Sequence, residues 1–96
     1  MGTDFLYEDA DVVAFADIDP QAPVHVLIVP RSHKRDITEV SPELLEKLFH
    51  AGNILAGKLE LDHFRYVVNT GKDAGQTVFH VHIHLLGGRT FQWPPG

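Results

Sequence analysis

The stretch Phe79-His80-Val81-His82-Ile83-His84-Leu85-Leu86-Gly87-Gly88 decides how this chain folds, because it sets three imidazoles at every second position between apolar residues. Successive side chains of an extended strand point to opposite faces. His80, His82 and His84 are therefore placed on one face, and Val81, Ile83 and Leu85 on the other. One face suits a core and the other suits chemistry. Same-face neighbours stand roughly 6.5–7 Å apart, twice the rise per residue, close enough for imidazoles to share a phosphate or a metal ion.

A strand over 78–86 needs a sheet, and the flanking sequence supplies one. Phe64 to Thr70 reads as the strand before it, joined through the glycine-bearing loop Gly71 to Thr77, short enough for a hairpin. Further upstream, Ser41 is a good N-cap, Pro42 suits the first helical position, and Glu43 complements the positive end of the dipole. The helix is expected to run to about Glu60. Its packing stripe is Leu44, Leu48, Leu55 and Leu59, widened by Leu45 and Phe49. Gly52 and Gly57 each cost about 1 kcal/mol in a helix interior relative to alanine. They are either tolerated or mark the approach of a second helix across a dimer axis.

Near the start, Phe5 to Glu8 and Val12 to Ala16 read as strands around the turn Asp9-Ala10-Asp11, and Val24 to Val29 as a third. The loop Asp17-Ile18-Asp19-Pro20-Gln21-Ala22-Pro23 carries two prolines that forbid regular pairing and give it a rigid shape. The expected fold is α+β: a five-stranded antiparallel sheet with one main helix packed on it. The histidine strand lies inside the sheet or near it.

The bulk properties narrow the function. Ninety-six residues make a single domain, 1–96, small enough that dimerisation helps to bury apolar surface. A net charge of −5 offers no basic face for long nucleic acid, although a mononucleotide needs only local donors. The absence of cysteine excludes disulfides, thiolate zinc and cysteine nucleophiles. No apolar run approaches a signal peptide or membrane span, so the expected address is the cytosol.

Three readings of the alternating histidines stand beside one another. Three neutral imidazoles and a water make a catalytic zinc site, but the second-shell carboxylates such a site needs are not evident, Asp73 being the nearest acid. A merely solvated polar face is the second. The third is nucleophilic attack at phosphorus by a central imidazole, with flanking donors stabilising the non-bridging oxygens.

His80-Val81-His82-Ile83-His84-Leu85-Leu86 resembles the histidine triad motif. The preceding Gly75-Gln76-Thr77-Val78-Phe79, the following Gly87-Gly88-Arg89 and the ending Trp93-Pro94-Pro95-Gly96 resemble the Hint branch, the histidine triad nucleotide-binding proteins. So do Asp17 to Pro23 and Val29-Pro30-Arg31-Ser32-His33. The likeness spans about Asp4 to the last residue. It implies a HIT-like fold, a dimer through helix and sheet edge, and a hydrolase that cleaves the P–N bond of purine nucleoside phosphoramidates. The nucleotidyl intermediate would form on His82. His84 would bind phosphate oxygens, His80 would orient the central ring through main chain and side chain, and His33 would be a supporting fourth histidine. Thr77 stands where the family often has serine, a hydroxyl near phosphate and leaving group. Asp17 would accept from the ribose hydroxyls, which suits a carboxylate. Phe15 and Ile18 would line the base slot, Asn69 would contact the sugar-phosphate region, and Gly75 and Gln76 would belong to the substrate-binding residues. Trp93 would reach the partner subunit's active site.

The resemblance implies no metal and no cofactor. It implies a small purine nucleotide, an adenosine or guanosine monophosphate derivative, as ligand, and neither membrane nor long nucleic acid as partner. A nucleotide binder without turnover, and a dinucleoside polyphosphate hydrolase or nucleotidyl transferase of a sister branch, are the alternatives. His25, His50 and His63 fall outside the quoted motifs' assigned roles; His50 and His63 read as surface residues, while His25, beside the proline loop, stays open. The family commonly carries an N-terminal segment that helps wall the base pocket, and this chain begins almost at its first strand. Weaker base recognition is the expected consequence.

Overall fold

The computed structural model describes residues 4–96; residues 1–3, on which the reading of the chain's beginning falls, lie outside the described residues. The elements are β1 (Phe5–Glu8), β2 (Val12–Ala16), β3 (Val24–Pro30), α1 (Pro42–Lys58), β4 (Phe64–Val67) and β5 (Ile83–Gly87). Short 3-10 turns occupy Ile37–Glu39 and Lys72–Ala74. The five strands form one antiparallel sheet in the order β1-β2-β3-β5-β4. The last strand is thus inserted between β3 and β4.

Local chemistry explains the early elements. The Asp9 carboxylate accepts from the backbone N–H groups of Asp11 and Val12, both at 2.8 Å, and so closes the β1–β2 turn. The Ser41 hydroxyl accepts from Leu44 N at 3.2 Å and starts α1 behind its proline. Val12, Ala14, Val26, Ile28, Ile83 and Leu85 alternate onto one sheet face, where Leu48, Ala51 and Leu55 of α1 cover them. The opposite face is left for the histidines.

Three local expectations are corrected. The helix stops at Lys58 rather than near Glu60, because Glu60 takes φ 57° and its N–H turns back to Gly57 O while Leu61 N reaches Ala56 O. That leaves Leu59 at the surface instead of in the packing stripe. Gly52 does mark a close approach, but to its own sheet: a Cβ there would lie 2.5 Å from Tyr66 Oη and 2.9 Å from Ile28 Cδ1. Gly57 faces open space.

The third correction concerns the histidines. β4 ends at Val67 and β5 begins only at Ile83, so the connection is no short hairpin, and His80 and His82 precede the regular strand. The intervening segment pairs elsewhere: Gln76 Nε2 donates to Arg35 O at 2.7 Å, and Val81 N donates to Lys34 O at 2.7 Å. Alternation nonetheless persists through it. Val81, Ile83 and Leu85 are buried in the core, and the three histidines stand half-buried on the other side.

Candidate active site

His82 Nδ1 lies 2.9 Å from the carbonyl oxygen of His80, and a carbonyl can only accept. The neutral ring therefore carries its proton on Nδ1 and presents the lone pair of Nε2. A backbone group two residues upstream has fixed the tautomer of the central imidazole.

His84 reaches its tautomer through a longer chain. The backbone N–H of Gln21 donates to His25 Nδ1 at 3.0 Å, which puts the proton of His25 on Nε2. That N–H faces His84 Nδ1 at 2.9 Å, so His84 in turn carries its proton on Nε2. His84 Nε2 is buried and has no hydrogen-bond partner among the described residues. A buried donor without an acceptor is costly, and a site that keeps one is shaped for a ligand acceptor. Burial, followed by His82 and His25, lowers the pKa of His84 below the usual imidazole value, with Asp17 opposing. The shift favours the neutral ring. The His82 and His84 rings meet edge-on with centroids 5.0 Å apart.

His80 is engaged within the protein by both ring nitrogens. Its Nε2 donates to Pro30 O at 2.9 Å, which leaves Nδ1 to accept from His33 Nδ1 at 3.0 Å. The side chain of His80 is thus paired with His33, while its main chain aims His82. The alternating motif resolves into two imidazole pairs, His33–His80 and His25–His84, and His82 Nε2 offers its lone pair beside them.

The sequence-predicted residues divide. Phe15 lines an apolar recess of about 260 Å³ beside His82 and His80, together with Leu27, Val29 and Val78. Asp17 stands half-buried with Oδ2 3.5 Å from His25 Nε2, and its Oδ1 accepts from Asp19 N at 2.9 Å. Thr77 and Gly75 are exposed on the loop ahead of the histidines, and the side chain of Asn69 packs against Gly75. Gln76 faces inward: only 3% exposed, it accepts from Gly71 N at 2.8 Å and donates to Arg35 O and to Val78 O at 3.1 Å. Its side chain fastens the loop from within. Ile18 and Trp93 are open to solvent and do not join the recess.

His25 is the residue that sequence reasoning left unassigned. Period-2 alternation in β3 was the available signal, since Val26 and Ile28 enter the core and His25, Leu27 and Val29 take the opposite face. The pairing of Leu27 with His84 then places that row beside the triad.

A sheet with its helix on one face, and on the other an alternating-histidine segment leading into a central strand, defines a histidine triad protein. The chain belongs to that family: the HIT domain model matches residues 1–91. It is 47% identical over 95 residues to an uncharacterized HIT-like protein of Synechocystis, covering 95% of this chain and 83% of the relative. A "14 kDa zinc-binding protein" of Zea mays is 43% identical over 98 residues, covering 95% and 76%. Among solved structures, a HIT family hydrolase from Legionella pneumophila superposes with a TM-score of 0.94 at 40% identity, covering all of this chain and 90% of that one. A histidine triad nucleotide-binding protein from Candida albicans gives 0.85 at 30% identity, covering 98% and 76%. The fold is that of HIT family hydrolases.

The name of the maize relative raises the question of zinc. Asp17, His25 and His84 offer donor atoms within 4.8 Å of one another. The donor set does not fit a cation, because Gln21 N–H occupies His25 Nδ1 and leaves the proton on Nε2, the atom that would have to ligate. No helix among the described residues is long and apolar enough to cross a membrane.

Proposed function

We propose that this protein hydrolyses the P–N bond of purine nucleoside phosphoramidates, with His82 Nε2 as the nucleophile. The lone pair of Nε2 forms a bond to the α-phosphorus, the P–N bond breaks, and the departing nitrogen takes up a proton from solvent and leaves as the amine. Water then attacks phosphorus and yields a proton to solvent while the Nε2–P bond breaks, releasing the nucleoside monophosphate and the free imidazole. The buried His84 Nε2–H donates to a non-bridging oxygen as its negative charge is redistributed. Asp17 accepts from the ribose hydroxyls, and the recess at Phe15 and Leu27 takes the flat base. Thr77 supplies a hydroxyl near the leaving group. No metal or cofactor takes part.

One observation carries this reading: a central imidazole whose tautomer is locked with its lone pair exposed, 5.0 Å ring to ring from an imidazole whose buried N–H has no acceptor among the described residues. The likeness to HIT family hydrolases and to a nucleotide-binding member supports it. The acting species is a cytoplasmic homodimer joined through α1 and the open edge of β4, with the exposed Trp93 reaching the partner's site. The test is turnover of an adenosine phosphoramidate by wild type and His82→Asn, with acid-quenched wild type searched by mass spectrometry for a nucleotidyl adduct on His82. Full activity in His82→Asn rejects the nucleophile. A blank adduct spectrum with tight adenosine monophosphate binding favours a pure binder, and faster turnover of a diadenosine polyphosphate favours the sister branch.

A further inference from the structure

The Gln21 N–H that directs the His25–His84 pair belongs to an exposed loop residue outside the strand ladders, so something must hold it. Gln21 O accepts from Arg89 Nε at 3.0 Å, a bond between the proline loop and the tail that follows β5. The guanidinium is itself fixed: its Nη1 donates to Thr90 O at 3.0 Å, and it lies 4.2 Å above the centroid of Phe91. Arg65 of β4 stacks on the same ring at 5.0 Å but donates to Gln92 O, not to the loop. Beside this bond, tail and loop touch directly. Gly88, at φ +92°, sits where a Cβ would come within 2.9 Å of Pro23 Cβ.

We propose that Arg89 is a positioning residue that sets the proton position on His84 by holding Gln21 against His25. The hydrogen bonds from Gln21 N–H to His25 and from His25 to His84 share one direction; it is imposed at the Gln21 end, and the Asp17 carboxylate, 3.5 Å from His25 Nε2, favours the same proton position. With the Gln21 N–H displaced, only Asp17 still favours the proton on Nε2, and His25 gains access to the form that carries its proton on Nδ1 and accepts at Nε2 from His84 Nδ1. His84 Nε2 then becomes an acceptor. An acceptor turned toward an anionic phosphate repels what a donor would bind. The kinetic consequence rests on the phosphoramidase reading; the proton position does not.

The test uses the full chain labelled with 15N at histidine, whose ring-nitrogen shifts distinguish protonated from lone-pair nitrogens. At neutral pH without ligand, wild type should show protonated Nε2 on both His25 and His84. Arg89→Met should move the His84 signals toward a tautomer mixture and lower kcat by roughly three- to tenfold, the worth of one hydrogen bond, with a smaller change in KM. Phe91→Leu, which loosens the guanidinium but keeps it, should shift the signals the same way by less and serves if Arg89→Met does not fold. Arg65→Met, which disturbs the same ring but not Gln21, should leave the His84 signals unmoved. Wild-type His84 signals in both Arg89→Met and Phe91→Leu, or an equal shift in Arg65→Met, overturns the proposal. Shifted signals in a protein that turns over no phosphoramidate would sink the phosphoramidase reading and leave the positioning role standing.

Discussion

Replacing Gln76 by leucine removes three hydrogen bonds at once, because the side-chain amide accepts from Gly71 N and donates to Arg35 O and Val78 O. Leucine has similar bulk, so little cavity forms at this 3%-exposed position and the loss is chiefly polar. At about 1 kcal/mol net per bond the variant should lose about 3 kcal/mol, and more where a partner is left buried without water. For a domain of this size that lowers the unfolding midpoint by about 12–24 °C. The assay is thermal and urea unfolding of ligand-free protein, followed by circular dichroism. A loss below about 1 kcal/mol would refute the reasoning, since a residue that serves only to touch nucleotide leaves the empty protein's stability unchanged.

Other outcomes follow from single sites. His84 has its pKa lowered in the fold from 6.5, so the unfolded chain binds the proton more readily; stability is full above the unfolded pKa and is lost as pH falls from about 6.5 through the lowered folded value. Urea unfolding across that range should show a shallower pH slope for His84→Asn than for wild type. Gly52→Ala should destabilise by about 1–3 kcal/mol despite alanine's better helix propensity, because its Cβ collides with Tyr66 and Ile28. Gly57→Ala, with nothing within 4 Å, should instead stabilise by about 1 kcal/mol, and urea midpoints of the pair should therefore move in opposite directions. Glu60→Gly relieves a left-handed residue at the helix end and should add about 1 kcal/mol, read as a raised thermal midpoint.

Much of the fold was legible because its signals are local. The Asp9 turn, the Ser41-Pro42 helix start and the alternation in β2 and β3 each act within a few residues, and the structure has β1 and β2 at the expected bounds. The β4–β5 connection was misjudged because a glycine-bearing segment resembles a hairpin loop whether or not it turns tightly. The two strands do pair antiparallel, but across a longer connection that Gln76 ties to a carbonyl 41 residues away. Close approach was one of two readings of Gly52, but the helix sequence could not tell a second helix from the chain's own Tyr66.

The sequence by itself determined that His80, His82 and His84 share a face opposite the core, since the period of an extended backbone is two wherever it runs. It equally determined the α+β class and, through several ordered motifs, the family. Only the tertiary structure decided which nitrogen of His25, His33, His80 and His84 carries the proton. His25 meets His84 across 59 residues, and His33 meets His80 across 47. A tautomer is selected by the group that faces the ring, and those groups are brought opposite one another only when β5 is inserted between β3 and β4.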